Sequence, residues 1–368
     1  MQTGFLILVL LGVNYVWHPF GRPPSAANFN NLGFAKAQSG DYDGALEDYD
    51  RAIGIDPHDA QAFNNRGLVK SQKGNDAAAI ADYNRAVELN PKFALAFSNR
   101  GLSKNRMGDY AGALNDCNLA IALDPKLAVA YINRGSSNLL KGNLSQALLD
   151  FNQAIEIDPK SAIAFTNRGR TKMKKNDYSG AIADFDQAIL LDSKLVAAYD
   201  NRGLASVTYK HDYDGALLDF NEAIKLDPKY ALAYSNRGFI ELQKTDYSGA
   251  IADYTRAIEL NPKLAGAVND RGFAKLKMGD TDGAINDASR AIELNPKFDS
   301  AYKVRADAKT KNGDLSGAMS DYDQAITLDP KYAAAYLGRG NVKAKLGDQS
   351  GADADLAKAR ELDPTLNN

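Results

Sequence analysis

Asparagine recurs at Asn31, Asn65, Asn99, Asn133, Asn167, Asn201 and Asn236, thirty-four residues apart until a last step of thirty-five. A side-chain amide offers two N–H donors and an acceptor oxygen. A row of amides at one spacing can therefore bond the backbone of an extended peptide whatever its side chains. Asn65, Asn99, Asn133, Asn167, Asn201 and Asn236 are candidate peptide contacts on this ground. Arginine follows each of those six, as Arg66, Arg100, Arg134, Arg168, Arg202 and Arg237, and recurs at Arg271, Arg305 and Arg339. Aspartate keeps the same period from Asp48, Asp82, Asp116 and Asp150 to Asp355. Matched rows of opposite charge fit an ion-pair ladder within or between repeating units. The rival reading is an arginine stripe, with lysines beside it, that recognises acidic or phosphorylated ligands through bidentate hydrogen bonds. Solvated pairs of this kind would contribute only ~0.2–1 kcal/mol each, so the ladder would depend on no single rung.

Residues for other chemistry are few. Cys117 is the one cysteine, and His18, His58 and His211 are the only histidines. No intramolecular disulfide can form, and Cys117 stands where most repeats carry an aromatic residue, which reads as a small buried hydrophobe. The "DYDG" stretches at Asp41–Gly44 and Asp212–Gly215 hint at calcium but lack the twelve-residue loop that would hold it. Phosphate loops, zinc-type Cys/His clusters and nucleophile elbows are missing from the sequence. No cofactor, metal or catalytic activity is expected. A formal charge of −2 supplies no basic field for nucleic acid, so no nucleic-acid partner is expected either.

The elements that position these rows follow from the period. Prolines fall at Pro57, Pro91, Pro125, Pro159, Pro228, Pro262, Pro296, Pro330 and Pro364, with Ser193 in the one gap, and each step is 34 residues except 35 before Pro228. The extra residue lies near His211, in an expected loop. Ten units therefore run from Ala26 to Pro364. With that proline at position 32, position 8 is glycine in all units but one, and positions 20 and 27 are alanine in all ten. Position 4 is Phe or Tyr except at Val268, and position 24 is usually aromatic, as in Tyr49 and Phe151. Positions 4, 8 and 11, then 20, 24, 27 and 28, follow the rhythm of one helix face. Asp or Asn at position 16 can cap a second helix, and the Asp/Asn–Pro pair ends it. Each unit is thus helix A, a tight "GD" turn and helix B. One hairpin cannot bury its apolar face alone, so stacked neighbours must bury it together in an all-α solenoid.

These residues resemble the tetratricopeptide repeat family: aromatic at 4, Gly at 8, Ala at 20, aromatic at 24, Ala at 27, Pro at 32 and a period of 34 over ten units. The resemblance implies a right-handed superhelix of antiparallel helix pairs whose concave groove is lined by helix A, and a scaffold that binds protein or peptide segments. The sequence departs from the family at positions 7 and 11, where Leu and Tyr are common. Position 9 would then face the groove and supply apolar stations at Phe34, Leu68, Leu102, Leu204, Phe239 and Phe273, while Arg106, Lys174, Lys277, Lys311 and Lys345 at position 13 form a basic edge. Leu68, Leu102, Leu204, Phe239 and Phe273 join the asparagines as candidate contacts. The family's carboxylate clamp is not matched, because Lys303 is the one lysine at position 5 and Asp307, not Asn, stands at position 9 after it. In the last unit the stripe at positions 21 and 28 turns from apolar to Asp353 and Arg360, which reads as an end cap.

Three segments result: an apolar leader at residues 1–25, ten repeats at 26–364 and a tail at 365–368. "GFLILVLLGVNYVW" is too short to span a bilayer and suits the core of an export signal. It carries no Lys or Arg ahead of the apolar run, and cleavage at Ala27 would cut the first repeat. Export or membrane anchoring through this leader is the favoured reading; a cytoplasmic chain with an apolar cap on the first hairpin is the alternative.

Overall fold

Asp41, Asp109 and Asp177 each accept a hydrogen bond from the backbone N–H three residues on, at Gly44, Gly112 and Gly180, over 3.0, 2.9 and 2.9 Å. A carboxylate oxygen there satisfies a donor that the first helical turn leaves unpaired. The "DYDG" stretches are therefore helix starts. Helix B closes at the residue before proline, where the backbone turns extended, as at Asp56 and Asp124. Between the helices the chain turns through a left-handed residue, usually glycine, as at Gly108 with φ 84°.

The computed structural model describes residues 24–366, which form two compact units meeting in sequence at Pro159 and Lys160. The leader's apolar run lies outside the described residues, among which no helix is long and apolar enough to cross a membrane. The first unit contains α1 (Ala26–Gln38), α2 (Tyr42–Ile55), α3 (Ala60–Gln72), α4 (Asp76–Leu89), α5 (Ala94–Arg106), α6 (Tyr110–Leu123), α7 (Ala128–Leu140) and α8 (Leu144–Ile157). The second contains α9 (Ala162–Lys174), α10 (Tyr178–Leu191), α11 (Val196–Lys210), α12 (Tyr213–Leu226), α13 (Ala231–Gln243), α14 (Tyr247–Leu260), α15 (Ala265–Lys277), α16 (Thr281–Leu294), α17 (Asp299–Asn312), α18 (Leu315–Leu328), α19 (Ala333–Lys345) and α20 (Gln349–Leu362). Odd-numbered helices are helix A and even-numbered ones helix B. The architecture is all-α, in tandem antiparallel helix pairs. Within each unit, every pair packs on the next through its helix B and through contacts between successive helices A.

The core lies inside and between the pairs. The alanines at positions 20 and 27 are all buried, and Tyr49, Phe151, Phe185 and Tyr254 fill the space at position 24. Position 8 must stay small because the aromatic ring leans on it: a Cβ on Gly135 would stand 2.8 Å from Phe151 Cε1. The extra residue near His211 does not enlarge a loop. It lengthens α11 to 15 residues, and His211 takes the left-handed turn position at φ 51°. At the end of the second unit Asp353 and Arg360 are exposed, as a polar cap requires.

Candidate peptide-binding face

Arginines at position 7 act in up to three directions; Arg271, with Val268 in place of an aromatic residue, reaches only Asp287 and Thr255. Arg100 donates through Nε and Nη2 to the two carboxylate oxygens of Asp116, at 2.8 and 2.6 Å, within its own helix pair. Its Nη1 reaches back to Asn84 Oδ1 in the preceding pair, at 2.9 Å. Its plane lies over the Phe97 ring, 5.2 Å from the centroid, where the ring's negative face attracts the cation. Arg66, Arg237 and Arg339 repeat this pattern with Asp82, Asp253 and Asp355, reaching back to Asp50, Asn221 and Asp323. The backward contact falls at position 25, which a count of charged rows passes over because Asp, Asn, Thr and Ser share it.

The aspartates of this ladder are not solvated as the sequence expectation had it. Asp116 is 2% exposed, and Asp48, Asp82 and Asp150 are likewise buried. A lysine at position 11 completes most rungs: Lys104 Nζ stands 2.8 Å from Asp116 Oδ2, and Lys36, Lys70, Lys172, Lys275, Lys309 and Lys343 make the same contact in their pairs. In the fourth pair Asn138 takes the lysine's place and donates to Asp150 Oδ2 over 3.0 Å. Lysine at position 11 in seven of ten units was a readable signal. Hydrogen bonds to Asp219 hold the Arg202 guanidinium above its ordinary pKa, and like the other arginines of the row it is already engaged by the fold.

The asparagine row runs along helix A, and its amides first link one helix A to the one before. Asn65 Nδ2 donates to Asn30 Oδ1 at 3.1 Å, Asn99 Nδ2 to Asn64 Oδ1 at 3.0 Å, and Asn133 Nδ2 to Ser98 Oγ at 3.0 Å. Asn236 Nδ2 donates to Asp200 Oδ1 at 2.7 Å. Asn201 turns onto its own helix and donates to Ala197 O at 2.6 Å, while Asn167 is half-buried on α9. Burial pushes the Asp200 carboxyl up to about 6, against the opposing hydrogen bonds from Asn236 and Tyr230. Position 5 supplies the acceptor, as Asn, Ser or Asp, and this mixed chemistry hid the link from the sequence.

On each helix A that carries one, the apolar station at position 9 lies one turn from position 6. Phe34, Leu68 and Phe239 are exposed, and Leu102, Leu204 and Phe273 are half-buried. Phe34, Leu68, Asn65 and Gln72 rim a shallow hollow of about 110 Å³ with Tyr49 at its floor. Every residue lining that hollow is uncharged. The basic edge is braced against neighbours: Arg106 Nη1 donates to Ser71 O at 3.1 Å, Lys311 Nζ donates to Leu276 O at 3.2 Å, and Lys277 lies over the Phe273 ring. Cys117 is buried beside Gly101, and burial pushes its thiol up to about 12.

Paired helices with small residues at their crossings, stacked on one another within each unit, define an all-α helical-repeat protein. Models described as TPR repeat match residues 33–74, 208–244 and 306–347, and models described as tetratricopeptide repeat match 60–93, 128–161, 162–195 and 231–264. The chain belongs to the tetratricopeptide repeat family. The crystal structure of the APC/C hetero-tetramer Cut9-Hcn1 is similar over 92% of this chain and 81% of its own, with TM-score 0.59 and 16% identity. A tetratricopeptide repeat protein from Parabacteroides merdae is similar over 68% of this chain and 98% of its own, with TM-score 0.51 and 21% identity. At these identities the likeness is one of fold. The search of curated proteins returned no match.

Proposed function

We propose that this chain is a non-catalytic interaction scaffold that holds extended peptide segments against its helix A face. The observation that carries the reading is the set of apolar side chains left exposed at position 9, Phe34 and Leu68 in the first unit and Phe239 in the second, each beside a half-buried amide at position 6 of its own or the next helix A. Exposed aromatic and leucine side chains cost solvation in the free protein and are released from water by an apolar partner. The second Nδ2 hydrogens of the half-buried Asn65 and Asn236 are the donors offered to a bound backbone, whereas Asn99 and Asn133 are buried between helices A. The arginines serve the fold, so an acidic or phosphorylated ligand would have to break existing ion pairs to reach them.

The test places a photoreactive phenylalanine analogue at Phe239, at Leu102 and, as controls, at Leu149 and Leu218. The controls are 61% and 72% exposed on helices B, more than Phe239 at 40%. Capture of discrete peptide segments, mapped by mass spectrometry, at the two helix A positions and not at the controls supports the reading. Equal capture at all four positions, or none at Phe239 and Leu102 in folded protein, overturns it. Capture of RNA instead of peptide would favour a nucleic-acid scaffold.

A further inference from the structure

The α13–α14 hairpin breaks the array's pattern twice. Position 11, lysine in seven units, is Glu241 here. In the lysine repeats this site gathers two acceptors: Lys172 Nζ stands 2.8 Å from Asp184 Oδ2 and donates to Gly180 O at 3.2 Å, and Lys36 and Lys309 make the same two contacts. Glu241 occupies the equivalent place. Its carboxyl lies beside Asp253 and close to Gly249, where an added Cβ would stand 3.0 Å from Glu241 Cδ. A site built from a carbonyl and a carboxylate calls for a donor, and glutamate can donate only when protonated. Its Oε2 is buried without a hydrogen-bond partner. The second departure is Thr245, a β-branched residue held at φ 61° in the turn where seven units use glycine, a conformation that costs such residues backbone energy.

We propose that Glu241 makes the α13–α14 hairpin a proton-dependent latch: with a proton on its carboxyl the hairpin closes as the lysine repeats do, and loss of that proton loosens it. The groups that face Glu241 are Asp253 and Tyr254 on α14, Asp246 at the α14 N-cap and Arg237 on α13 itself. On the other helices packed against α13, Asp200 of α11 is bonded to Asn236 and Tyr230, Asp219 and Asp214 of α12 to Arg202 and Lys244, and Asp270 of α15 to Asn269. Burial raises the carboxyl to about 7, and the nearby Asp253 pushes in the same direction while Arg237 opposes it. The folded state therefore binds this proton more tightly than the unfolded chain. The stabilisation is full below the unfolded value near 4.5 and is lost as pH rises through about 7. The same hairpin carries Asn236 and Phe239, but the latch does not depend on their binding anything.

Hydrogen exchange of the full-length protein, read by mass spectrometry as protection factors corrected for intrinsic pH dependence, tests this. In the wild-type chain, protection across residues 237–256 should fall roughly tenfold between pH 5.5 and pH 8, while the α17–α18 hairpin, which keeps its Lys309–Asp321 pair, stays level. Glu241→Lys restores the donor used elsewhere, and Glu241→Gln supplies an amide donor at every pH. Both should hold protection level across the range. Constant protection in the wild type, or an undiminished fall in both variants, overturns the proposal.

Discussion

Arg100 grips Asp116 with two hydrogen bonds, Nε to Oδ2 at 2.8 Å and Nη2 to Oδ1 at 2.6 Å, and the aspartate is almost wholly out of water. A charge in that position is tolerable only while its partners remain. Arg100→Ala should destabilise the protein by about 2–3 kcal/mol, less than a fully orphaned buried charge because Lys104 still faces Asp116. In a double-mutant cycle by chemical denaturation, Arg100 should couple to Asp116 by more than about 1 kcal/mol and to Asp82, which belongs to Arg66, by nearly nothing. Equal coupling to both would place the arginines between pairs instead of within them.

Glycine serves opposite ends at Gly135 and Gly54. The first lies under the Phe151 ring, and the second has no neighbouring atom within 4 Å of a Cβ placed there. Gly135→Ala should cost about 1–3 kcal/mol by overpacking. Gly54→Ala, inside α2, should stabilise by about 0.5–1 kcal/mol because alanine loses less backbone freedom in a helix. Melting temperatures moving in the same direction for both would contradict the packing described.

Thr245→Gly should stabilise the α13–α14 hairpin by about 1 kcal/mol, since it removes a β-branched side chain from a left-handed turn and adds only the entropic cost of glycine. The same replacement at Asn176, also left-handed at φ 63°, should give less, because asparagine tolerates that region. Urea midpoints of the two variants make the comparison.

Asp200 gives a pH signature separate from Glu241. Burial raises its carboxyl from 3.8 to about 6, so the native state takes up its proton more readily than the unfolded chain. The associated stability is present below about pH 4 and lost as pH rises through about 6. Asp200→Asn keeps an acceptor for the Asn236 amide and removes the titration. The loss of melting temperature between pH 4.5 and pH 7 should therefore be smaller in this variant than in the wild type. An unchanged loss would show that Asp200 keeps its charge throughout.

The fold was largely legible in the residues themselves. Asp or Asn at position 16 and the Asp/Asn–Pro step mark where helix B starts and stops, because capping and proline sterics act within a few residues of chain. The glycine, alanine and aromatic rows announce close-packed pairs. The candidate face was half legible. The family resemblance implies an outward-facing position 9, and Phe34, Leu68 and Phe239 are exposed there. The lysines at position 11, the acceptors at position 5 and the mixed polar residues at position 25 were not assigned, since each is recognisable only by what it touches.

The amino-acid sequence by itself determined the period, the helices, the small-residue crossings and the places where one repeat departs from the others. Those follow from local sterics and from the rhythm of apolar residues. Only the tertiary structure decided which partner each periodic residue takes. When nine of ten repeats carry the same arginine and all ten the same aspartate, linear spacing cannot tell a partner in the same hairpin from one in the neighbouring hairpin. Distance alone separates them, and it gives Arg100 to Asp116, its Nη1 to Asn84, and the Asn99 amide to Asn64.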